Sequence, residues 1–157
     1  MSDKVFMQEA IDLARENVAN GARPFGAVLV KDGKVISRAV NRIEADQDPT
    51  AHAELLALRA AGKALGHTRL DGATVYASGQ PCPMCLAAMR LAGITRIAFA
   101  YSNDNAAAFG MSTADIAAEL SLPPDEQTWA RIEHLAPDDA AQPDLYRSWA
   151  ARSAKNA

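Results

Sequence analysis

Two short windows hold the residues whose types and spacing could do chemistry. His52 and Glu54 stand two apart, and Cys82 and Cys85, the only cysteines of the chain, stand three apart. Zinc favours nitrogen and sulfur donors in a tetrahedron, and a catalytic zinc keeps three protein ligands and leaves the fourth position to water or hydroxide. His52, Cys82 and Cys85 supply three such donors, enough for one zinc ion per subunit. Two residues from His52 on a helix, Glu54 points away from the ligand direction and is poorly placed as a fourth ligand. It can still lean over the helix start toward the water. Two thiolates and a neutral imidazole leave the first shell formally uncharged, so bound water is acidified less than in an all-histidine site and a nearby base becomes useful. Glu54 fits that role, taking a proton from water and returning it to a leaving group during attack on an electron-poor carbon.

Each feature alone has a plainer explanation. Cys82-Pro83-Met84-Cys85 matches a thioredoxin-type dithiol as well as a metal loop. A single histidine beginning a helix is more often bland, and Glu54 alone is an ordinary first-turn acid favoured by the helix dipole. Both windows fall at expected helix starts following strands, and one metal can bridge them if those helix starts face each other across the sheet ends.

The elements that must position them can be read from periodicity. After a cap at Ser2 or Asp3, Phe6, Ala10, Leu13, Ala14 and Val18 recur at helical spacing until Asn20 and Gly21 end the pattern. Residues 25–31 and 34–40 form two mostly apolar runs around Asp32-Gly33, the signature of a hairpin with a tight primed turn. Thr50 can cap a helix over 51–61 that carries His52 in its first turn, and a short β-rich run covers 74–78. Cys82 takes the cap position of the next helix, with Pro83 in its first turn and Gly93 closing it. A buried strand over 94–100, a polar loop over 102–105, a helix over 113–120, a strand over 129–135 and a last helix from Asp144 complete the order α, β, β, α, β, α, β, α, β, α. The densest irregular stretches, 121–127 and 137–143, read as loops within one domain spanning 1–157. This pattern predicts an α/β fold of three layers, a five-stranded mixed sheet with helices on both faces. Only one hairpin strand should run antiparallel, and strands four and five should be parallel, because 101–128 leaves room for a crossover helix.

Composition bounds the partners. With 157 residues, 49% hydrophobic and 22% charged, the chain can bury one substantial core. A net charge of -3 offers no long-range attraction to polyanions, and Arg147, Arg152 and Lys155 form only a modest basic cluster, so a nucleic-acid partner is disfavoured and a small, weakly charged substrate fits better. No apolar run reaches membrane-spanning length and no leader pattern is present, which predicts a cytoplasmic protein.

With these residues in place, the sequence resembles the cytidine deaminase superfamily, most closely its bacterial guanine deaminase and free-base deaminase branch. Pro24-Phe25-Gly26-Ala27-Val28-Leu29-Val30, Asp48-Pro49-Thr50-Ala51-His52-Ala53-Glu54 and Pro81-Cys82-Pro83-Met84-Cys85-Leu86 carry the likeness. It includes the H-x-E and P-C-x-x-C pattern of zinc deaminases and runs to about Tyr101. The resemblance implies the cytidine-deaminase-like fold, with His52, Cys82 and Cys85 as zinc ligands and Glu54 as proton shuttle. It further implies Asn41 as the amide that hydrogen-bonds the base, main-chain groups of Ala53 and Cys82 near the substrate, and Asp104 as an acidic contact to a purine. Phe25, Phe109, Tyr146 and Trp149 offer faces for a flat heterocycle, against core packing as the competing reading, which is the stronger one for Phe25. Gln80 departs from the glutamate usual before Pro-Cys in the relatives, exchanging a carboxylate for a neutral amide with donors of its own. The implied activity is hydrolysis of guanine to xanthine and ammonia, with isocytosine, cytosine or an s-triazine such as ammeline as alternatives. A tRNA adenosine deaminase and a non-catalytic zinc or dithiol protein are further readings. By the same analogy the protein is a homodimer, and residues 137–157 are a C-terminal segment able to close over the active site.

Overall fold

A computed structural model describes residues 2–138 and 144–156, with the backbone alone described at 144. The chain divides into two compact units, residues 1–122 and 123–157. The first holds a four-stranded sheet in the order β2-β1-β3-β4, built from β1 (Gly26–Lys31), β2 (Lys34–Val40), β3 (Ala73–Gly79) and β4 (Arg96–Tyr101). β1 runs antiparallel to both β2 and β3, and β3 pairs parallel with β4, so β1 is the one strand of opposite direction. The hairpin closes through Asp32 and Gly33, both at positive φ (50° and 72°), as a primed turn requires.

Helices cover both faces. α1 (Asp3–Ala19) lies on one, where Phe6 and Ala10 pack against Val28, Val30 and Tyr76. α3 (Ala53–Leu65) and α4 (Pro83–Leu91) lie on the other, where Leu58, Ala61, Cys85 and Met89 meet Leu29 and Val75. Successive β1 residues therefore enter different layers. That is why 26–30 is apolar without alternation, as in a strand covered on both faces. α1 approaches β1 so closely at Gly26 that a Cβ there would sit 2.5 Å from the Ala10 carbonyl oxygen.

Several expectations need correction. Among the described residues no strand forms over 129–135, so the sheet has four strands and the expected parallel pair of strands four and five is absent. The apolar content of Trp129, Ile132 and Leu135 suggests a strand, but the described residues there have no ladder partner, and an unpaired strand lacks the hydrogen bonds that define it. β4 consequently pairs on one side only, and Phe99 and Tyr101 stay exposed where a buried strand was expected. The polar stretch after it is the start of a helix, α5 (Asn103–Ala107). The Ser102 side chain accepts from the Asn105 N–H and the Asn105 side chain accepts from the Ser102 N–H, an asparagine version of the capping box. A four-residue helix, α2 (Ile43–Asp46), was not expected, while α6 (Ala114–Leu120) falls where predicted. The second unit contains a short 3-10 turn, Pro124–Glu126, and α7 (Asp144–Lys155), which begins at the expected residue. The loop expected over 137–143 lies mostly outside the described residues. No helix among the described residues is long and apolar enough to cross a membrane.

Candidate metal centre

β2 and β3 run in the same direction, so the chain leaves both at the same edge of the sheet, β2 toward α3 and β3 toward α4. His52 is the N-cap of α3, one position before the first turn that the sequence suggested, and Cys82 is the N-cap of α4 with Pro83 at its first position. Both caps have extended backbone (ψ 149° and 167°), and neither spends its side chain on capping its own helix. The side chains are thus free to meet. Nδ1 of His52 lies 3.5 Å from Sγ of Cys82 and 3.6 Å from Sγ of Cys85. A tetrahedral zinc with bonds of about 2.3 Å to sulfur and 2.0–2.1 Å to nitrogen separates such donors by about 3.6 Å. Among the described residues this trio is the one group of histidine, cysteine and acidic side chains whose ligand atoms gather within 4.8 Å. Both cysteines are free thiols, and the donor set fits zinc.

Glu54 is 6% exposed in the first turn of α3 and stands outside the trio. Sγ of Cys85 donates to its Oε2 at 3.6 Å. Burial pushes the Glu54 pKa up, opposed by its own backbone N–H and by His52. The hydrogen bond to Cys82 raises His52, against burial. Cys82 is pulled down to about 4, first by the hydrogen bond from Cys85 and then by His52, with burial opposing. Cys85 moves up because Cys82, burial and Glu54 all resist a second thiolate. Without a cation the site therefore favours one thiolate. A divalent ion removes the conflict by compensating both sulfurs at once.

The other candidate residues are less concentrated. Asn41 is buried just beyond β2, with its N–H on the Phe25 carbonyl and its side-chain oxygen accepting from the Ile43 N–H. Ala53 is buried directly after His52. Phe25 is half-buried, its ring against Gly79, where a Cβ would come within 3.0 Å of it. Phe25 and Phe109 both line a cavity of about 850 Å³ together with Tyr101, Gln80 and Met111. None of His52, Glu54, Cys82, Cys85 or Asn41 lines that cavity, which reaches toward the cysteine loop only through Gly79 and Gln80. The donor geometry, not the cavity, therefore marks the reaction centre. Phe109 is 78% exposed. Asp104 is exposed in the first turn of α5 and belongs to neither the donor cluster nor the cavity lining. Trp149 and Tyr146 lie on α7 of the second unit with exposed rings.

Residues 1–101 match the family described as the cytidine and deoxycytidylate deaminase zinc-binding region. The chain belongs to this deaminase family. It is 40% identical over 146 residues to a guanine deaminase of Bacillus subtilis, covering 89% of this chain and 94% of that protein. The crystal structure of that guanine deaminase superposes with a TM-score of 0.87 at 36% identity, covering 96% of this chain and 95% of the other. A tRNA-specific adenosine deaminase of Bacillus subtilis is 45% identical over 97 residues, 62% of this chain and 60% of that protein. The structure of a guanine deaminase from Nitrosomonas europaea matches with a TM-score of 0.67 at 28% identity, covering 71% of this chain and 65% of that one.

As a member of the deaminase family the chain is a zinc-dependent hydrolytic enzyme, and the architecture around the zinc site is the cytidine-deaminase-like α/β fold. Two polar residues of this deaminase escaped the reading of the sequence as structural links. Gln80 accepts the Asn103 N–H at 2.9 Å, joining the cysteine loop to α5. Asn17, 7% exposed on α1, donates from one side-chain amide to the carbonyls of Arg23 (2.7 Å) and Asn41 (3.0 Å). The available signal was positional, since Asn17 continues the apolar spacing of Ala10, Leu13 and Ala14 where a polar residue needs partners.

Proposed function

We propose that this deaminase hydrolyses the free base guanine to xanthine and ammonia. The observation that carries the reading is the reach of the likeness. Similarity to the Bacillus subtilis guanine deaminase runs over 146 residues and 96% of the chain in structure, whereas similarity to the tRNA-specific enzyme spans 97 residues. The net charge of -3 supports a small heterocyclic substrate over a polyanion.

His52, Cys82 and Cys85 would hold the zinc, which when bound would supply a Lewis acid able to lower the pKa of water. Glu54 takes a proton from the attacking water, whose oxygen bonds to the carbon bearing the exocyclic amine. The same carboxyl gives the proton to the adjacent ring nitrogen and then carries the next one to the amine, which leaves as ammonia while the carbonyl forms. Its raised pKa suits a group that must hold a proton between these transfers. Asn41 orients the base through its side-chain amide, main-chain groups of Ala53 and Cys82 border it, and Phe25 supplies a stacking face. Asp104 and Phe109 add further contacts to the base, in a homodimeric enzyme. A pair of buried free thiols kept for a metal suits the reducing cytoplasm.

The tRNA reading is favoured by one observation, an identity of 45% over 97 residues against 40% over 146 for the guanine deaminase. An ammonia-release panel decides between them, using guanine, isocytosine, cytosine, ammeline, adenine, their nucleosides and adenosine-containing tRNA. Turnover highest on guanine supports the proposal, and turnover confined to tRNA or to a pyrimidine overturns it.

A further inference from the structure

We propose that Asn17 is a positioning residue for base binding, its amide fixing the two chain segments that carry Phe25 and Asn41. The inference rests on the reading of Phe25 and Asn41 as base contacts and adds the residue that holds them in register. An amide NH2 has two hydrogens, and Asn17 directs one to the Arg23 carbonyl and the other to the Asn41 carbonyl. In sequence these carbonyls flank the hairpin formed by β1 and β2, one before it and one after it. The Arg23 carbonyl also accepts from the Phe25 N–H (2.8 Å), and the Phe25 carbonyl accepts from the Asn41 N–H (3.0 Å). Asn17, Arg23, Phe25 and Asn41 thereby form a closed ring of hydrogen bonds, anchored on α1, whose members include both residues assigned to the base.

The ring also explains how the Asn41 side chain keeps its orientation. Its main chain is held on both sides, by Asn17 at the carbonyl and by Phe25 at the N–H, and its side-chain oxygen is held by Ile43. A residue that served only α1 would cap that helix, but the C-cap is Asn20, and the Asn17 side chain bonds to no group of its own helix. Asn17 and Asn41 are buried, so the Asn41 carbonyl loses its donor without easy replacement by solvent when Asn17 is removed, whereas the Arg23 carbonyl keeps the Phe25 N–H.

The zinc donors and Glu54 start from α3 and α4, which the ring does not include. Loss of Asn17 should consequently weaken binding of the base and leave the reaction step alone. In Asn17→Ala, KM for guanine is expected to rise about tenfold, the effect of one misplaced hydrogen bond, with kcat within about twofold and the zinc content of the parent. If that variant fails to fold, Asn17→Ser, which keeps one hydroxyl donor, carries the same test with a smaller rise of the same sign. A merely structural role would lower the melting temperature and leave KM of the folded, zinc-loaded fraction unchanged, and that result overturns the proposal. Asn41→Ala, measured in parallel, separates the two levels. A raised KM in Asn41→Ala with an unchanged KM in the folded Asn17 variant rejects the positioning role alone. An unchanged KM in Asn41→Ala rejects the assignment of the base contact itself, and the positioning role with it.

Discussion

Replacing Glu54 by glutamine isolates proton transfer from every other property of the site. The side chain is 6% exposed, so the glutamine occupies the same enclosed position and bulk water has little access to substitute for the missing carboxyl. The donor trio does not include Glu54, so zinc content should stay at the parent level. Burial disfavours the charged carboxyl, as its raised pKa indicates, and a neutral amide of equal size should leave the thermal midpoint unchanged or slightly higher. What remains is catalysis. A positioned acid or base contributes about 10²–10⁴ in rate, and one carboxyl that serves successive transfers belongs in the upper part of that range. A loss of at least about 10³ in kcat is expected, roughly 4 kcal/mol of barrier, with KM within about threefold. The assay is steady-state ammonia release from guanine, with zinc determined on the same preparations. Turnover within about tenfold of the parent would refute the shuttle. Loss of zinc in step with activity would refute it differently, by making Glu54 a ligand.

Three further perturbations test the site and the fold that holds it. Cys85→Ser takes one donor from a fully buried position and should lower zinc affinity by more than the roughly 10–100-fold that loss of an outer-shell partner costs, read by titration against a competing chelator. Gly26→Ala forces a Cβ against the Ala10 carbonyl and the α1 backbone, and should destabilise the protein by about 1–3 kcal/mol in denaturant unfolding, whereas Gly33→Ala meets no neighbour and costs only its left-handed backbone, about 1–2 kcal/mol. Asp3 is drawn from its ordinary value of 3.8 to about 2 by the Arg96 hydrogen bond and then by Tyr76, so its contribution is present above about pH 4 and is lost as pH falls toward 2. Asp3→Asn should flatten the fall in stability between those values, measured by thermal melts across that range, and an unchanged acid limb would contradict it.

The chemistry was more legible in the sequence than the elements far from it. His52, Glu54, Cys82 and Cys85 sit at helix starts whose caps and flanking proline are local signals, so residue spacing translated directly into donor geometry. The Asp32-Gly33 turn was readable for the same reason, because positive φ selects its residue types. The stretch 129–135 misled because strand formation depends on a partner elsewhere in the chain, which side-chain pattern does not reveal. α5 was hidden by an asparagine doing the work of the usual glutamate in a capping box. Asn17 was invisible as a link until the two carbonyls it serves, separated from each other in sequence by the hairpin, were seen side by side.

X-ray absorption at the zinc edge of the purified protein tests the central claim most directly. The account predicts one zinc per chain with two sulfur neighbours at about 2.3 Å and nitrogen or oxygen neighbours at about 2.0–2.1 Å, the sulfur shell losing one member in Cys82→Ser. A zinc shell without sulfur, or a zinc-free protein with Cys82 and Cys85 joined as a disulfide, would contradict it.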